Sequence, residues 1–496
     1  MTPNARLAGD RPAEGLPAAA VWALCGGIVL GAAALGFPGR AVAAPATEVG
    51  ASGKSVEERI AELEALVRQL RAEIEAMKTA SAGGAPPPGA PAGLEELRRR
   101  IDALAEEIER LRIGEAAAPR AAGKAAGFGP AASKVYGVKG GVSIGGYGEM
   151  LYQNFDARAD DGRPSGAIDT ADLERAVLYF GYKWTDHLLF NSEVEYEHAV
   201  VAPDAPGEAA VEFAYIDYRP GRHLGLRGGL LLVPVGFLSE LHEPPIFYGA
   251  RRPDVETFIL PSTWREIGLG VYGDAGPVSY RAYLISSLDA SGFSAGEWAR
   301  EGRQEGAEAK ASDWALAARV DCTPAPGLLF GAAGFTGNTG QGSPGLAGAR
   351  LSVWDAHAEW NVRGWHLRGL YARGALGHAG AISLANDPLL AGDPARGTAI
   401  GSRAVGWYGE AAWNLLSLER TDKGELSPFV RYEALDTQAE VVTPFTRDRA
   451  NDRTVRTYGL HYRPIPNVAI KVDYQDYGNG AGTGIDQLNV ALGYLF

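Results

Sequence analysis

The sequence predicts an all-β fold, a sixteen-stranded antiparallel transmembrane β-barrel preceded by a short α-helical coiled-coil segment. Three observations point to it. From Gly141 onward, apolar residues recur with period two in runs of about ten residues, longer than the globular mode and close to what a tilted membrane strand needs. Sixteen such runs can be counted, an even number. The connections between them alternate between short turns and long loops. A soluble sandwich gives no reason for that alternation, whereas an outer-membrane barrel has short periplasmic turns and long external loops.

Composition agrees. The chain has 496 residues, 46% hydrophobic and 22% charged, which excludes wholesale disorder. It holds 66 Gly, 20 Tyr and 10 Trp against 3 Met, a bias toward strands and turns. A net charge of −13 without a basic block argues against a nucleic-acid partner. The two cysteines are Cys25 and Cys322, and Cys25 lies in an N-terminal apolar run, so a processed chain keeps one thiol and no internal disulfide.

That apolar run, Leu16 to Phe37, ends in Ala41-Val42-Ala43-Ala44-Pro45, a small-residue site suited to cleavage after Ala43. Residues 1–43 are therefore expected to be a signal peptide, with an uncleaved anchor as the alternative. The run is longer than the usual apolar core, and Arg6 and Arg11 are offset by Asp10 and Glu14. Trp22-Ala23-Leu24 lack the small residue that a lipoprotein signal places before its cysteine.

Residues 44–115 read as periplasmic coiled-coil segments. Ile60, Val67 and Ile74 at a, with Val56, Leu63, Leu70 and Met77 at d, form one seam. Leu94, Ile101 and Ile108 at a, with Leu97, Leu104 and Leu111 at d, form a second. Between them Ala80–Gly89 is a Pro/Gly/Ala linker that cannot continue a helix. Each seam is only about three heptads long and needs a partner, either the other seam in a hairpin or copies of itself in an oligomer. Residues 116–140 read as a further linker, and the barrel occupies 141–496.

Within the barrel the runs begin near Val142, Asp172, Leu188, Glu208, Arg222, Trp264, Val278, Asp313, Leu328, Arg350, Gly364, Ala404, Leu426, Thr454, Val468 and Ile485. Val468, Ile470, Val472 and Tyr474, for example, alternate with Ala469, Lys471, Asp473 and Gln475. In lipid every backbone N–H and C=O must be paired inside the protein, which a closed sheet achieves with only every second residue apolar. Tyr147, Tyr152, Tyr179, Tyr182, Trp184, Tyr218, Trp360, Trp407, Trp413, Tyr474 and Tyr477 are candidates for interfacial girdles.

The segments Asp172-Leu-Glu-Arg-Ala-Val-Leu-Tyr-Phe-Gly-Tyr-Lys183 and Leu188–Glu197 resemble the second and third strands of the phosphate-selective porin O/P family. Arg227-Gly-Gly-Leu-Leu-Leu-Val-Pro-Val-Gly-Phe237 and Pro261–Gly270 are similar to that family as well. Leu488–Phe496 resembles the terminal aromatic signal of outer-membrane barrels. The resemblance covers residues 141–496 and implies a sixteen-stranded, homotrimeric diffusion pore in outer-membrane lipid. In many general porins the loop after the fifth strand folds inward to constrict the channel, and the same is expected here.

A loop of about thirty residues, Pro234–Thr263, stands at that position, and so long a connection needs a reason. It carries Glu240, His242, Glu243, Arg251, Arg252, Asp254 and Glu256, with Arg265 and Glu266 following. Such a mixture can select ions at close range, or it can pin the loop to the wall by its own salt bridges. By alternation Arg175, Arg227, Arg281 and Arg431 face the lumen. Glu193, Glu195 and Glu197 form an acidic row on the third strand. The barrel carries 30 basic and 44 acidic side chains, only four of them lysines, so the basic ladder of a phosphate pore is not evident. A general or mildly cation-preferring pore fits the charges at least as well as an anion pore.

Catalytic and metal chemistry are not expected. The histidines His187, His198, His223, His242, His357, His366, His378 and His461 have no metal-ligand spacing, and no phosphate loop, G-x-S-x-G elbow or Cys-x-x-Cys pair occurs. The sequence reading is a passive pore for small ionic solutes, without cofactor, in the outer membrane and with its coiled coil in the periplasm. The alternative is an envelope tether that contacts the cell wall through the coiled coil.

Overall fold

The computed structural model describes residues 56–81, 100, 101, 104, 127–418 and 424–496. The chain divides into two units, Met1–Thr79 and Ala80–Phe496. The expected signal peptide, most of the second heptad segment and residues 116–126 lie outside the described residues. In the first unit, helix α1 spans Val56–Ser81. Its predicted seam positions Ile60, Leu63, Val67, Leu70 and Ile74 are shielded to different degrees, whereas Leu66, off the seam, is 41% exposed. Among the described residues no helix is long and apolar enough to cross a membrane.

The second unit is a closed barrel of sixteen strands. They are β1 Gly141–Phe155, β2 Thr170–Lys183, β3 Leu188–Glu197, β4 Ala209–Tyr218, β5 Gly225–Leu232, β6 Arg265–Ala275, β7 Val278–Ser286 and β8 Trp314–Ala325. They continue with β9 Leu328–Asn338, β10 Arg350–Val362, β11 Trp365–Leu376, β12 Arg403–Trp413, β13 Glu425–Glu440, β14 Asp452–Ile465, β15 Val468–Asn479 and β16 Gln487–Leu495. Each pairs antiparallel with its chain neighbours, and β1 pairs with β16 to close the cylinder, Tyr147 opposite Leu495 and Phe155 opposite Gln487. The expected strand starts fall within three residues of these. One rim carries tight turns such as 276–277, 326–327, 363–364 and 466–467. The other carries long loops such as 156–169, 233–264, 287–313 and 377–402.

The period-two pattern sorts side chains by face. On β15, Ile470, Val472 and Tyr474 are about 40% exposed while Lys471, Asp473 and Gln475 are buried inside. On β16, Leu488, Val490 and Leu492 face out and Asn489 and Ala491 face in. The exterior is thus a continuous apolar belt, a liability in water and a requirement in lipid. Trp184, Tyr218, Trp360 and Trp365 lie outward near the short-turn rim, Tyr152 and Trp314 near the other. Three expected girdle residues are corrected: Tyr147 and Tyr179 are buried inside, and the Tyr477 hydroxyl bonds the loop residue Asp254 at 2.7 Å. Their strands place them on the polar face, because this interior holds aromatics as well as charges.

Candidate functional site

The β5–β6 loop, residues 233–264, crosses the lumen and is fastened around its whole circumference. It leaves β5 at Gly236, whose backbone has φ near +60° and lies so close to the Glu256 carboxylate that any side chain there would collide. Gly236 N–H donates to Asp355 of β10 at 3.0 Å. Glu256 accepts from Phe237 N–H (2.6 Å), Leu238 N–H (2.7 Å) and the Tyr408 hydroxyl of β12 (2.6 Å). The Phe237 ring meets His357 at 4.9 Å and lies 4.6 Å from the Arg368 guanidinium. Behind it runs a buried chain in which Arg319 pairs with Asp321 (2.7 Å) and His357 bridges Asp321 (2.8 Å) and Asp355 (2.6 Å).

Further along the loop, Glu240 pairs with Arg281 of β7 at 3.2 Å and His242 with Glu193 of β3 at 3.1 Å. Phe247 packs 3.5 Å from the Lys471 ammonium, which also donates to Gly249 C=O at 2.9 Å. Ala250 N–H donates to Asp473, and Arg431 to Arg251 C=O at 3.3 Å. Burial pushes the Glu240 and Glu256 carboxyls up, and Glu243 up to about 7 despite the N–H groups it accepts from. Burial, with the Arg252 charge beside it, pulls His242 down to about 3.

Facing the loop, the wall of β1 to β4 and β6 is charged. Arg175 lies 3.3 Å from Glu195 and 3.8 Å from Glu149, and Arg265 lies 2.7 Å from Glu212. Glu212 is the extra residue of a bulge: Glu193 pairs with Phe213 and Val194 with Val211, so Glu212 and Phe213 both turn inward. Arg252 reaches toward this wall and donates to Ser262 at 3.1 Å, while its Nε and Nη2 have no partner. Glu149 Oε1, Glu195 Oε1 and Glu212 Oε2 have no hydrogen-bond partner either. Glu149, Glu193, Glu195 and Glu212 thus outnumber Arg175, Arg252 and Arg265.

A second element enters from the short-turn rim. Residues 127–138, with the one-turn helix α2 (Lys134–Gly137), fold inside the barrel just ahead of β1. Composition alone assigns them to a linker. Glu243 Oε1 accepts from Ala131 N–H (3.0 Å) and Ala132 N–H (2.9 Å), Asn191 donates to Ala132 C=O at 2.9 Å, and Lys183 to Val138 C=O at 2.8 Å. Phe128 is 1% exposed, with Phe213 at 5.2 Å and Tyr215 at 5.6 Å. Arg227 is surrounded by the rings of Phe128, Tyr215 and Tyr272 at 4.9, 4.5 and 4.4 Å, and it bonds Asp217 and the Tyr136 hydroxyl at 3.0 Å. Gly127 and Pro130 line two separate cavities that open at this rim, of about 550 and 520 Å3.

All the sequence-derived candidates lie inside the barrel, in three places. Glu193, Glu195, Arg252 and Arg265 meet at the charged wall, and Arg251 and Asp254 tie the loop to β13 and β15. Glu240, His242, Glu243, Arg281 and Arg227 anchor the loop or the N-terminal segment. Sequence reasoning did not single out Glu149, Glu212, Arg319, Asp355, Arg368 or Lys471 as interior groups. Alternation along β1, β8, β10, β11 and β15 marks all but Glu212, which the bulge displaces. No group of three metal-ligating side chains occurs among the described residues.

No protein-family model matches the chain. A protein of Aquifex aeolicus (strain VF5) is 40% identical over 375 residues, spanning 75% of this chain and 84% of its own. The chain belongs to the family of that protein. This Aquifex relative is described only as an uncharacterized protein. Among solved structures, the barrel is similar to Salmonella typhi OmpF in complex with daunomycin (TM-score 0.48, 12% identity, 72% of this chain and 98% of that one). It is also similar to a loop L8 deletion mutant of OmpT, an outer membrane protein of Vibrio cholerae (0.45, 11%, 72% and 100%). A third is the outer membrane protein OpdK of Pseudomonas aeruginosa (0.40, 10%, 72% and 98%).

Proposed function

We propose that the chain is an outer-membrane channel for passive diffusion of small ions and solutes, assembled as a homotrimer. The observation that carries the reading is a closed barrel with an apolar outside and a charged inside, with the β5–β6 loop folded across its lumen. A protein that needed the barrel only as an anchor would have no use for a buried wall on which Glu149, Glu193, Glu195 and Glu212 face Arg175, Arg252 and Arg265. Buried charges are costly unless paired or put to use.

The excess of carboxylates at that wall favours cations over anions, since side-chain fields act strongly in a narrow, partly dehydrated passage. Phosphate selectivity is therefore not part of the proposal. Segment 127–138 narrows the same passage from the short-turn side, the periplasmic side of such barrels. The test is planar-bilayer recording of the refolded full-length protein under a salt gradient. Stepwise conductance with a cation-selective reversal potential is expected. Verified folded barrels that never conduct would refute the channel and favour the tether built on the α1 seam.

A further inference from the structure

At the long-loop rim the outside of β10 to β15 carries charge within the apolar belt. Arg350 of β10, Arg373 of β11, Arg403 of β12 and Arg456 of β14 point away from the lumen, since their chain neighbours Leu351, Ala372, Ala404 and Val455 are buried inside. Two of the four are satisfied from the adjoining strand: Arg403 pairs with Glu440, and Arg456 with Asp476 at 2.9 Å. Arg350 and Arg373 are not. Among the described residues neither guanidinium has an ion-pair or hydrogen-bond partner.

The carboxylates of this region are taken up elsewhere. Asp436 shares a row with Arg373 across Val405, but Arg447 lies between it and Asp452, at 3.1 and 3.0 Å. In the loops of the same rim, Asp313 and Asp393 accept from the N–H groups of Gln341 and Ala395 at 2.7 and 3.1 Å, and Asp387 pairs with Arg396 at 3.3 Å. Residues 339–349 carry no charge, and His378 brings no negative one. Two positive charges on β10 and β11 are left without a protein counterion.

Their depth is marked by aromatics. Trp354 stands opposite Arg373 on β10 with its ring 5.4 Å from Tyr371, both exposed on the outside. Trp407 and Tyr432 form a second outward pair at 5.3 Å on β12 and β13. Outward Trp and Tyr sit where hydrocarbon gives way to headgroups. Arg373 lies at that level, and Arg350, the first residue of β10, stands nearer the rim.

We propose that this outer wall binds the phosphate headgroup of an anionic lipid, bracketed by Arg350 and Arg373. A guanidinium keeps its proton in any protein setting, and beside hydrocarbon a charge needs a partner of opposite sign. Its planar fork matches two phosphate oxygens. The face is turned to lipid, so the anion comes from the membrane and not from the solution in the pore. The Trp354 and Tyr371 rings offer a flat apolar surface to the first part of the acyl chains. The site rests on the barrel lying in a membrane and not on conduction.

The test is native mass spectrometry of the full-length protein in neutral detergent, with dimyristoylphosphatidic acid as probe and dimyristoylphosphatidylcholine as comparison. The wild type is expected to retain the phosphatidic acid about tenfold better or more, and excess inorganic phosphate is expected not to displace it. Arg350→Gln with Arg373→Gln should bring the preference to near parity, and each single variant should weaken it, which keeps the test alive if the pair fails to fold. Arg456→Gln with Asp476→Asn, which removes an already paired cation together with its partner, should leave the preference unchanged. Equal retention of the two lipids, or a preference that survives loss of Arg350 and Arg373, would overturn the site. So would an equal loss in the Arg456/Asp476 variant. Displacement by inorganic phosphate would overturn the lipid as its occupant. The readout needs no conductance, so it fails independently of the channel.

Discussion

Replacing Phe128 by alanine tests whether residues 127–138 obstruct the pore. The ring is 1% exposed among Phe213, Tyr215 and the Arg227 guanidinium. Truncating a fully buried phenylalanine costs about 3–5 kcal/mol. At about 1.4 kcal/mol per tenfold, the ratio of docked to undocked segment falls by roughly two to three and a half orders of magnitude. What then holds the segment is Val135, 1% exposed in the same core, together with polar contacts: Glu243 on two N–H groups, Asn191 and Lys183 on carbonyls, and Tyr136 on Asp217 at 2.6 Å. Such bonds contribute only about 0.5–1.5 kcal/mol net each once water competes for them. The variant should therefore undock more often than the wild type. The two cavities lined by Gly127 and Pro130 then merge, and the conductance step rises. Single-channel recording measures this, with limited proteolysis from the short-turn side as an independent report of undocking. A segment that becomes protease-sensitive while conductance stays at the wild-type value would refute the reasoning.

Glu195→Gln combined with Glu149→Gln removes two negative charges from the constriction. The reversal potential in a salt gradient should move toward anion preference, and the difference should shrink near 1 M salt, where the screening length is about 3 Å. Arg227→Ala leaves Asp217 buried without its cation and should destabilise the barrel by about 3–5 kcal/mol, read from thermal unfolding in detergent. Seating of the loop depends on pH in two opposed ways. Glu243, raised to about 7 from 4.5, contributes stability that is full below pH 4.5 and is lost as pH rises through 7. His242, lowered to about 3 from 6.5, contributes stability that is present above pH 6.5 and is lost as pH falls through 3. The two slopes oppose each other between pH 4.5 and 6.5, but Glu240 and Glu256, whose carboxyls burial also pushes up, add to the Glu243 slope, so protease protection of the loop should fall as pH rises above 4.5.

The strand frame was legible because the face a residue takes on a membrane strand follows from parity alone, and parity placed Arg175, Arg281 and Arg431 inside before any contact was known. Where parity breaks, inference broke with it: the β4 bulge hid Glu212. Aromatics were ambiguous for another reason. Tyr147 and Tyr179 sit in strands that look like girdle material, yet they fill an interior of mixed character. The loop was visible as long and charged, but its partners lie far along the chain, Asp355 119 residues from Gly236 and Asp473 223 from Ala250. Segment 127–138 was the largest omission. Its Gly, Ala and Pro content matches a linker, and only the pockets offered by Phe213, Tyr215 and Glu243 give it a fixed place.

Those fastenings bear on the order in which the barrel is assembled. Pro244 lies directly over Gly493 of β16, where even one added carbon would collide, and the neighbouring Glu243 holds Ala131 and Ala132 just upstream of β1. The two strands that form the closing seam thus each abut the loop or the segment it grips. An annealed cylinder would leave a thirty-residue loop little room to thread in afterwards and find partners on β10 to β15. That geometry favours a loop that settles while the sheet is still open, with the seam closing over a filled interior. Joining of the first and last strands then doubles as an inspection step that an unfilled barrel fails.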